Sequence, residues 1–331
     1  MGLALIVCLS FVLSVLATRL AIPLLARVGA VADENERTMH FGRVPQGGGA
    51  PLLIAAFVVA LGMGVVSPAV IAATAALAVL SLANDRSPVP AALRLLIHLA
   101  VAGAYLATLD PAALVFQGLL PFWLDRLAAA LALTWVMNLF NFMDGINGIA
   151  GAEAIAIAAG YLLVAGLTGG TFEHAAISAS IAGASAGFLV WNLRPRALVF
   201  MGDVGSVPLG FLTGALMLDL AIRGFWAAAL IIPSYFLADA TLTLLARLQR
   251  REKIWEPHRS HFYQRAAQGA GSHLAIVVRI ALANAALIAL AAWSIASPWI
   301  ALFAAALVVI ALLFDLSRCA GAKSRSLGSD P

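Results

Sequence analysis

Long apolar runs dominate this sequence and decide in which solvent it can fold. We count about eleven runs that approach the roughly 20 residues needed to cross a bilayer as a helix. Of the 331 residues, 63% are hydrophobic and 11% are charged, and the mean hydropathy is +0.98. A soluble domain has about 25% charged residues, so a water-soluble fold is excluded. The sequence predicts an all-α, polytopic transmembrane bundle of about 10–11 spans.

The runs follow one another without a break in composition, so we predict one integral membrane domain over residues 1–331. The first run is predicted to be a retained span, because no Lys or Arg precedes it as in a signal peptide. Residues 317–331 are predicted to form a disordered cytoplasmic tail, and Cys8 and Cys319 are not expected to pair. The runs lie at residues 3–23, 49–66, 69–83, 91–109, 127–142, 148–168, 174–192, 205–222, 224–246, 273–294 and 298–316.

Positive charges are distributed unevenly between the loops, and this indicates an orientation. With the N-terminus outside, the inner segments hold about sixteen of the 20 Lys and Arg, and the outer segments hold about two. These inner loops explain the net charge of +4, so no nucleic-acid partner is predicted. The clusters with chemical character also fall on the inner side, which predicts an active site at the cytoplasmic face. The inner segments are 24–48, 84–93, 142–148, 193–206, 247–272 and the C-terminal tail.

The first inner loop reads DENERTMHFGRVPQGGGAP and ends in three glycines. A glycine run lets backbone N–H groups approach an anion closely, so Gly47 and Gly48 are candidates for binding a phosphate. Arg37 and His40 would add positive charge. The alternative is a flexible, solvated loop, since a triple glycine is a weak signal.

Polar residues also interrupt the segment NLFNFMDGINGIAG. Polar groups at membrane depth are costly unless they line a cavity or bind a ligand. Asn138, Asn141 and Asp144 recur at spacings of three, which places them near one helix face, and Asn147 follows. A tight turn between helices explains the glycines but not this spacing. Asp85, at the end of another span, is either functional or an ordinary interfacial carboxylate.

The segment VFMGDVGSVPLGF places Asp203 between Gly202 and Gly205 at the start of an apolar helix. Mg²⁺ takes one or two protein carboxylates and otherwise keeps water and substrate phosphates. Asp203 is therefore the candidate metal ligand, with Mn²⁺ as the alternative ion, and Phe200 is placed to stack on a base. The alternative role for Asp203 is the N-cap of the next helix.

The segment REKIWEPHRSHFYQR forms a compact cationic patch. His258, His261, Arg259 and Arg265 can donate hydrogen bonds to phosphate. An ordinary positive loop explains the arginines but not the histidines, and two histidines without cysteine are too few for a structural zinc. Two acids within spans, Glu153 and Asp239, are functional candidates by position, and neither receives a role.

Together the motifs DENERTMH…PQGGG, NFMDGINGIAG, FMGDVGS and HRSHFYQR resemble those of the polyprenyl-phosphate N-acetylhexosaminyl-1-phosphate transferases. This superfamily, glycosyltransferase family 4, includes undecaprenyl-phosphate GlcNAc-1-phosphate transferases and phospho-MurNAc-pentapeptide transferases, and the last motif is most similar to the branch that starts O-antigen-like glycans. The resemblance extends from about residue 33 to residue 265. It implies a bacterial inner-membrane enzyme that uses a UDP-N-acetyl sugar, undecaprenyl phosphate and Mg²⁺, in a lipid environment, with a homodimer as one option.

The resemblance also implies roles for individual residues. Asp203 corresponds to the magnesium ligand, Phe200 lies against uracil, and Asn141 and Asp144 belong to the nucleotide pocket. Asp85 corresponds to the second acid of a paired Asp-Asp motif. The implied catalytic residues are Asp85, Asp203, His258 and His261, and the implied substrate-binding residues are Arg37, His40, Gly47, Gly48, Asn141, Asp144, Asn147, Asn192, Phe200, Arg259 and Arg265.

Three positions depart from the family pattern: Asn84 and Asn147 replace acids, and Gln46 stands where Arg or Thr is common. Asn84 cannot deprotonate the lipid phosphate. Either Asp85 takes that role or no base is needed, because a phosphate monoester with a pKa near 6 is mostly a dianion at about pH 7. The competing function is a transporter or flippase for an anionic substrate, which many spans and intramembrane carboxylates also fit.

Overall fold

The structure, a computed structural model, describes residues 2–32, 43–87, 89–253, 256 and 258–326. This part of the chain is built almost entirely of helices. A two-stranded antiparallel sheet pairs Val31 with Pro45 and Ala32 with Val44. The elements are α1 (Gly2–Arg27), β1 (Val31–Ala32), β2 (Val44–Pro45), α2 (Gly49–Gly62), α3 (Pro68–Arg86), α4 (Ala91–Ala107), α5 (Phe122–Phe142), α6 (Ile149–Thr168), α7 (Phe172–Asn192), α8 (Asp203–Ile222), α9 (Trp226–Ile231), α10 (Ser234–Gln249), α11 (Phe262–Ala270), α12 (His273–Trp293) and α13 (Pro298–Ser326).

Seven helices of the described part are long and apolar enough to cross a membrane: α1, α3, α6, α7, α8, α12 and α13. The helices α2 and α4 are apolar but shorter. The predicted polytopic helical bundle is therefore confirmed, and the protein is a multi-pass membrane protein. The number of about 10–11 spans stays a prediction, and so does the end of the bundle that faces the cytoplasm.

One predicted span, residues 224–246, is not a single helix. It breaks between α9 and α10 around Ile232 and Pro233. Proline has no N–H to donate to the preceding turn, and its ring clashes with the carbonyl four residues earlier. The break lies six residues before Asp239, which stands one turn into α10.

The predicted disordered tail is also wrong as far as Ser326, because α13 continues through residues 317–326. Packing explains the extension: Gly269 of α11 lies directly against the backbone at Cys319, so closely that a Cβ at this glycine would collide with the Cys319 carbonyl oxygen. Residues 327–331 lie outside the described part. Cys8 is exposed and Cys319 is half-buried, and both are free thiols.

The central helix is α8, which is buried along most of its length. Its glycines permit close packing where hydrophobic helices would otherwise be held apart by side chains. A Cβ at Gly210 would come within 2.8 Å of the Met137 backbone of α5, and a Cβ at Gly214 within 2.6 Å of Leu133. Because α8 is surrounded by α2, α3, α5 and α6, residues at its N-terminal end are close to several other helix ends.

Candidate active site

Asp203 is the first residue of α8, and its carboxylate is the centre of a polar cluster. The N-cap is Gly202, with φ of +73°, and no side chain caps the helix. The interpretation of Asp203 as a capping residue is therefore wrong. Its carboxylate instead faces side chains from other helices, and about a quarter of the side-chain surface (26%) is exposed.

Three helices supply partners to this carboxylate. Asn84, at the end of α3, donates from Nδ2 to Oδ2 at 3.0 Å. Asn141, near the end of α5, donates from Nδ2 to Oδ1 at 2.8 Å and is 2.8 Å from the Ser206 hydroxyl. Arg94, in the first turn of α4, forms an ion pair with Oδ2 at 3.5 Å. Residues that are far apart in the sequence therefore converge on Asp203. The predicted place of Asn141 in a nucleotide pocket stays a prediction.

Two further carboxylates lie within electrostatic reach of Asp203. They are Asp85, exposed at the end of α3, and Asp144, half-buried in the turn between α5 and α6. Burial, and to a lesser extent the charge of Asp203, raises the pKa of Asp144 well above its ordinary value. Neighbouring carboxylates that repel one another favour a cation between them.

These residues fit the Mg²⁺ that the resemblance implies. A carboxylate has about four acceptor positions, and Asp203 uses two of them for the amide donors of Asn84 and Asn141, which leaves positions for a metal ion. Among the described residues no group of three or more His, Cys, Asp and Glu could hold a metal ion. Mg²⁺ does not need such a group, because it keeps water and substrate phosphates as its other ligands.

The glycine run does not form the anion site that the sequence suggested, and this interpretation of Gly47 and Gly48 is corrected. Their N–H groups donate to the Phe200 carbonyl at 3.1 and 2.8 Å, and Gly49 donates to the Met201 carbonyl at 2.9 Å. The glycines are required by packing: a Cβ at Gly48 would lie 2.8 Å from the side chains beneath it, and one at Gly49 would collide with Gly205. The run fixes the start of α2 against the segment before α8.

Phe200 belongs to the segment before α8 that the glycine run contacts. It forms a parallel bridge with Gln46, and its N–H donates to the Pro45 carbonyl at 2.8 Å. Its side chain is half-buried, three residues before Asp203. Stacking on a base stays a prediction. Arg37 and His40 lie outside the described residues.

Asn192 and Asn147, predicted to bind substrate, are engaged with the protein backbone. Asn192 accepts from the N–H of Gly148 at 2.6 Å and donates to the Val199 carbonyl at 2.9 Å. Asn147 donates from its side chain to the Arg194 carbonyl at 2.9 Å. Both side chains are buried. The structure therefore shows them as connections between the α5–α6 turn and the segment leading to α8, and their contact with substrate stays a prediction.

Residues 258–261, the histidine loop, lead into α11 and are anchored by Asp239 of α10. His261 is buried, and its Nδ1 lies 3.1 Å from Asp239 Oδ1. His258 is half-buried and stacks on His261 with ring centroids 4.9 Å apart. Arg259 is half-buried, whereas Arg265 is exposed with its guanidinium over the Phe262 ring at 5.0 Å. Of the two predicted histidines, His258 is thus the more accessible.

Sequence reasoning missed Arg94 and His98. They lie one turn apart on α4, on the same side, and His98 Nδ1 is 3.3 Å from the Asn138 amide. The signal was available: a cation and an imidazole at spacing i, i+4 in an otherwise apolar helix are expensive in a membrane unless they line a polar site.

Comparison with known proteins tests the resemblance. Residues 67–221 match the model of glycosyl transferase family 4. The chain is 30% identical to the decaprenyl-phosphate N-acetylglucosaminephosphotransferase of Mycolicibacterium smegmatis over 326 residues, which covers 85% of this chain and 79% of the relative. The protein belongs to glycosyl transferase family 4.

Other relatives place this family 4 member among enzymes of the same kind. The probable undecaprenyl-phosphate N-acetylglucosaminyl 1-phosphate transferase of Bacillus subtilis is 26% identical, with 91% of this chain and 88% of the relative covered. The phospho-N-acetylmuramoyl-pentapeptide-transferase of Moorella thermoacetica is 42% identical over 94 residues, 28% of this chain and 29% of the relative. The predicted membership is confirmed, and membership supports the activity of a phospho-sugar transferase.

Proposed function

We propose that this family 4 protein transfers a sugar-1-phosphate, of the N-acetylhexosamine type, from a UDP-sugar to undecaprenyl phosphate. The products are a lipid-diphospho-sugar and UMP, and the reaction is the first membrane step of a cell-surface glycan pathway at the cytoplasmic face of the bacterial inner membrane. The supporting observation is the convergence of α3, α4 and α5 on Asp203 through the contacts of Asn84, Arg94 and Asn141. The names of the relatives support the lipid phosphate as acceptor.

The reaction is in-line phosphoryl transfer. An oxygen of the lipid phosphate forms a bond to the β-phosphorus of the UDP-sugar, and the bond from this phosphorus to the bridging oxygen of UMP breaks, with its electron pair leaving on UMP. Catalysis of such a transfer is mostly positioning and electrostatic stabilisation. A covalent aspartyl-phosphate route through Asp85 would take two displacements and would retain the configuration at phosphorus.

Several protein groups would contribute to this positioning and stabilisation. Mg²⁺, held by Asp203, would neutralise charge on the diphosphate. Arg94 supplies a fixed positive charge beside Asp203, and the amide of Asn141 keeps the carboxylate oriented. His258 and the arginines of its loop would donate hydrogen bonds to the phosphates.

No protein base is required at position 84. The Asn84 amide already donates to Asp203 and accepts from the Val89 N–H at 3.1 Å, so it orients the site rather than removing a proton. The lipid phosphate is mostly a dianion at about pH 7 and can attack as it is. Loss of the acid at this position is therefore compatible with turnover.

The test is release of UMP by the purified protein from uridine-labelled UDP-GlcNAc, undecaprenyl phosphate and Mg²⁺. We expect UMP release that EDTA stops. Asp203→Asn should lower the rate by about 10²- to 10³-fold. Asp315→Asn is the matched control, because this exposed acid pairs with Arg279 on α12 at 3.1 Å, far along the chain from the site.

Full activity of Asp203→Asn would rule out the assignment of the metal. No UMP release by the wild type, together with uptake of the labelled compound into liposomes, would instead support a carrier. A panel of UDP-sugars identifies the natural donor by the ratio of kcat/KM values.

A further inference from the structure

Asp239 is a fully buried carboxylate with an unusual number of donors around it. Its side chain is 0% exposed. Oδ1 accepts from the Phe262 N–H at 3.0 Å and is 3.1 Å from His261 Nδ1, and Oδ2 accepts from the Tyr263 N–H at 3.1 Å. Burial of a carboxylate is costly unless it is hydrogen-bonded. Here three donors come from three consecutive residues of the histidine loop.

Through these bonds Asp239, a residue of α10, caps the N-terminal end of α11. The first N–H groups of a helix lack partners within the helix, and its N-terminal end carries a partial positive charge that favours a carboxylate. Two residues of α10 itself, Tyr235 and Thr243, donate to the same carboxylate at 3.1 and 3.3 Å and hold its orientation. The start of α11 is thereby fixed to α10.

His261 connects this anchor to the accessible histidine. With Asp239 accepting at Nδ1, neutral His261 carries its proton on Nδ1. His258 has the opposite arrangement, because its Nδ1 accepts from the Ser260 N–H at 3.2 Å. Neutral His258 therefore carries its proton on Nε2. The rings stack with their planes 28° apart, so the position of His261 sets that of His258.

The same helix is docked on the turn that carries Asp144. The Tyr263 hydroxyl donates to the Phe142 carbonyl at 2.9 Å. At Gly145 an added Cβ would collide with the Tyr263 hydroxyl and lie 2.8 Å from the Gln264 amide. Movement of the α11 start would therefore disturb both the histidine and the α5–α6 turn.

We propose that Asp239 is a positioning residue of the transfer reaction, which holds His258 against the diphosphate by fixing His261 and the first turn of α11. The inference rests on the proposed function, since the diphosphate is the group that His258 would meet. Asp239 is too deeply buried to touch the substrate, so it acts only through the loop.

The test is a double-mutant cycle measured by UMP release. Asp239→Asn keeps the size of the side chain but presents an N–H group to donors. We expect kcat to fall by about 10- to 100-fold, as for other buried partners that orient an imidazole, with a much smaller change in the KM for UDP-sugar. In a His258→Ala background Asp239→Asn should cause no further loss of kcat, because the two residues act as a unit. Asp125→Asn is the matched control and should keep wild-type activity: Asp125 is also fully buried and accepts from the N–H groups of Val115 and Phe116 at 3.2 and 2.8 Å, but it lies in the first turn of α5, at the opposite end of that helix from Asn141.

An Asp239→Asn variant with wild-type kcat would overturn the proposal, as would losses that multiply in the double variant. A measurement independent of activity covers the case in which the variant does not fold. In wild-type protein labelled with ¹⁵N-histidine, and assigned with His261→Gln, ring ¹⁵N NMR should show His261 protonated at Nδ1. A neutral His261 protonated only at Nε2 would refute the positioning role, even if the wild type releases UMP. Absence of wild-type UMP release would refute the proposed function instead.

Discussion

Replacement of Asn84 by Asp tests the electrostatics of the candidate site most directly. The amide donates to Asp203 at 3.0 Å, and its oxygen accepts from the Val89 N–H. Asn84→Asp keeps the acceptor for Val89 but puts a second carboxylate oxygen where the donor was. In the absence of a metal ion, we expect the variant to be less stable than the wild type.

The size of the effect follows from the geometry. A hydrogen bond to an ionised carboxylate contributes about 1.5–3 kcal/mol. Two unit charges 3.0 Å apart would repel by about 5–6 kcal/mol at an effective dielectric constant near 20. Asp203 is about a quarter exposed, so rotation and solvent reduce the repulsion, and we expect a net loss of about 2–4 kcal/mol in the free energy of unfolding.

The assay is thermal melting of detergent-purified protein at about pH 8, in EDTA and then with Mg²⁺. Mg²⁺ should restore more stability to Asn84→Asp than to the wild type, because a cation between two carboxylates is attracted by both. Asn84→Ala is the matched control: it loses both hydrogen bonds but adds no charge. If Asn84→Asp melted in EDTA at the wild-type temperature, or at a higher temperature than Asn84→Ala, the expected repulsion between positions 84 and 203 would be refuted.

Three other outcomes are expected. Gly49→Ala should lower the free energy of unfolding by about 1–3 kcal/mol or more, because the methyl group would collide with Gly205. Gly166→Ala is the control: no atom lies within 4 Å of its added Cβ, so it should be neutral or slightly stabilising. Equal melting temperatures of the two variants would contradict the packing argument. Burial raises the pKa of Asp144 above its ordinary 3.8, so the folded protein holds this proton more tightly than the unfolded chain, and stability falls as pH rises above about 4. In EDTA, Asp144→Asn should therefore melt at a higher temperature than the wild type at about pH 8 and at the same temperature at about pH 4. A difference in melting temperature that stays constant across this range would contradict the raised pKa of Asp144. Arg94→Gln should change stability by less than about 1 kcal/mol, since its ion pair is partly exposed, but should slow UMP release by about 10²-fold, and unchanged turnover would remove Arg94 from the site.

Charge and hydropathy along the sequence locate the segments from which this site is built. They separated the spans from the loops, and the polar motifs within those loops identified Asn141 and Asp203. The structure brings these two residues into contact at 2.8 Å. A contact of this kind is expected where a polar residue interrupts a membrane segment, because in hydrocarbon the residue must have a partner or a function.

Roles that depend on what a group touches could not be predicted in this way. The glycines of PQGGG indicate an anion site by sequence alone, yet their N–H groups donate to the Phe200 and Met201 carbonyls. Asp239 and His261 are both ionisable residues near the loop, and only their 3.1 Å contact and their burial show that they support His258. The sequence does not show whether a backbone N–H or an imidazole is already hydrogen-bonded to another group of the protein.

The sequence by itself determined the solvent, the helical class and the residues able to do chemistry, because the cost of placing polar groups in hydrocarbon acts locally along the chain. Tertiary structure decided which of those residues meet, since α3, α4, α5 and α8 reach Asp203 only through packing between helices distant in sequence. It also decided where α10 breaks from α9 and which histidine stays accessible. These outcomes depend on close contacts between backbones and side chains, and such contacts are absent until the bundle has formed.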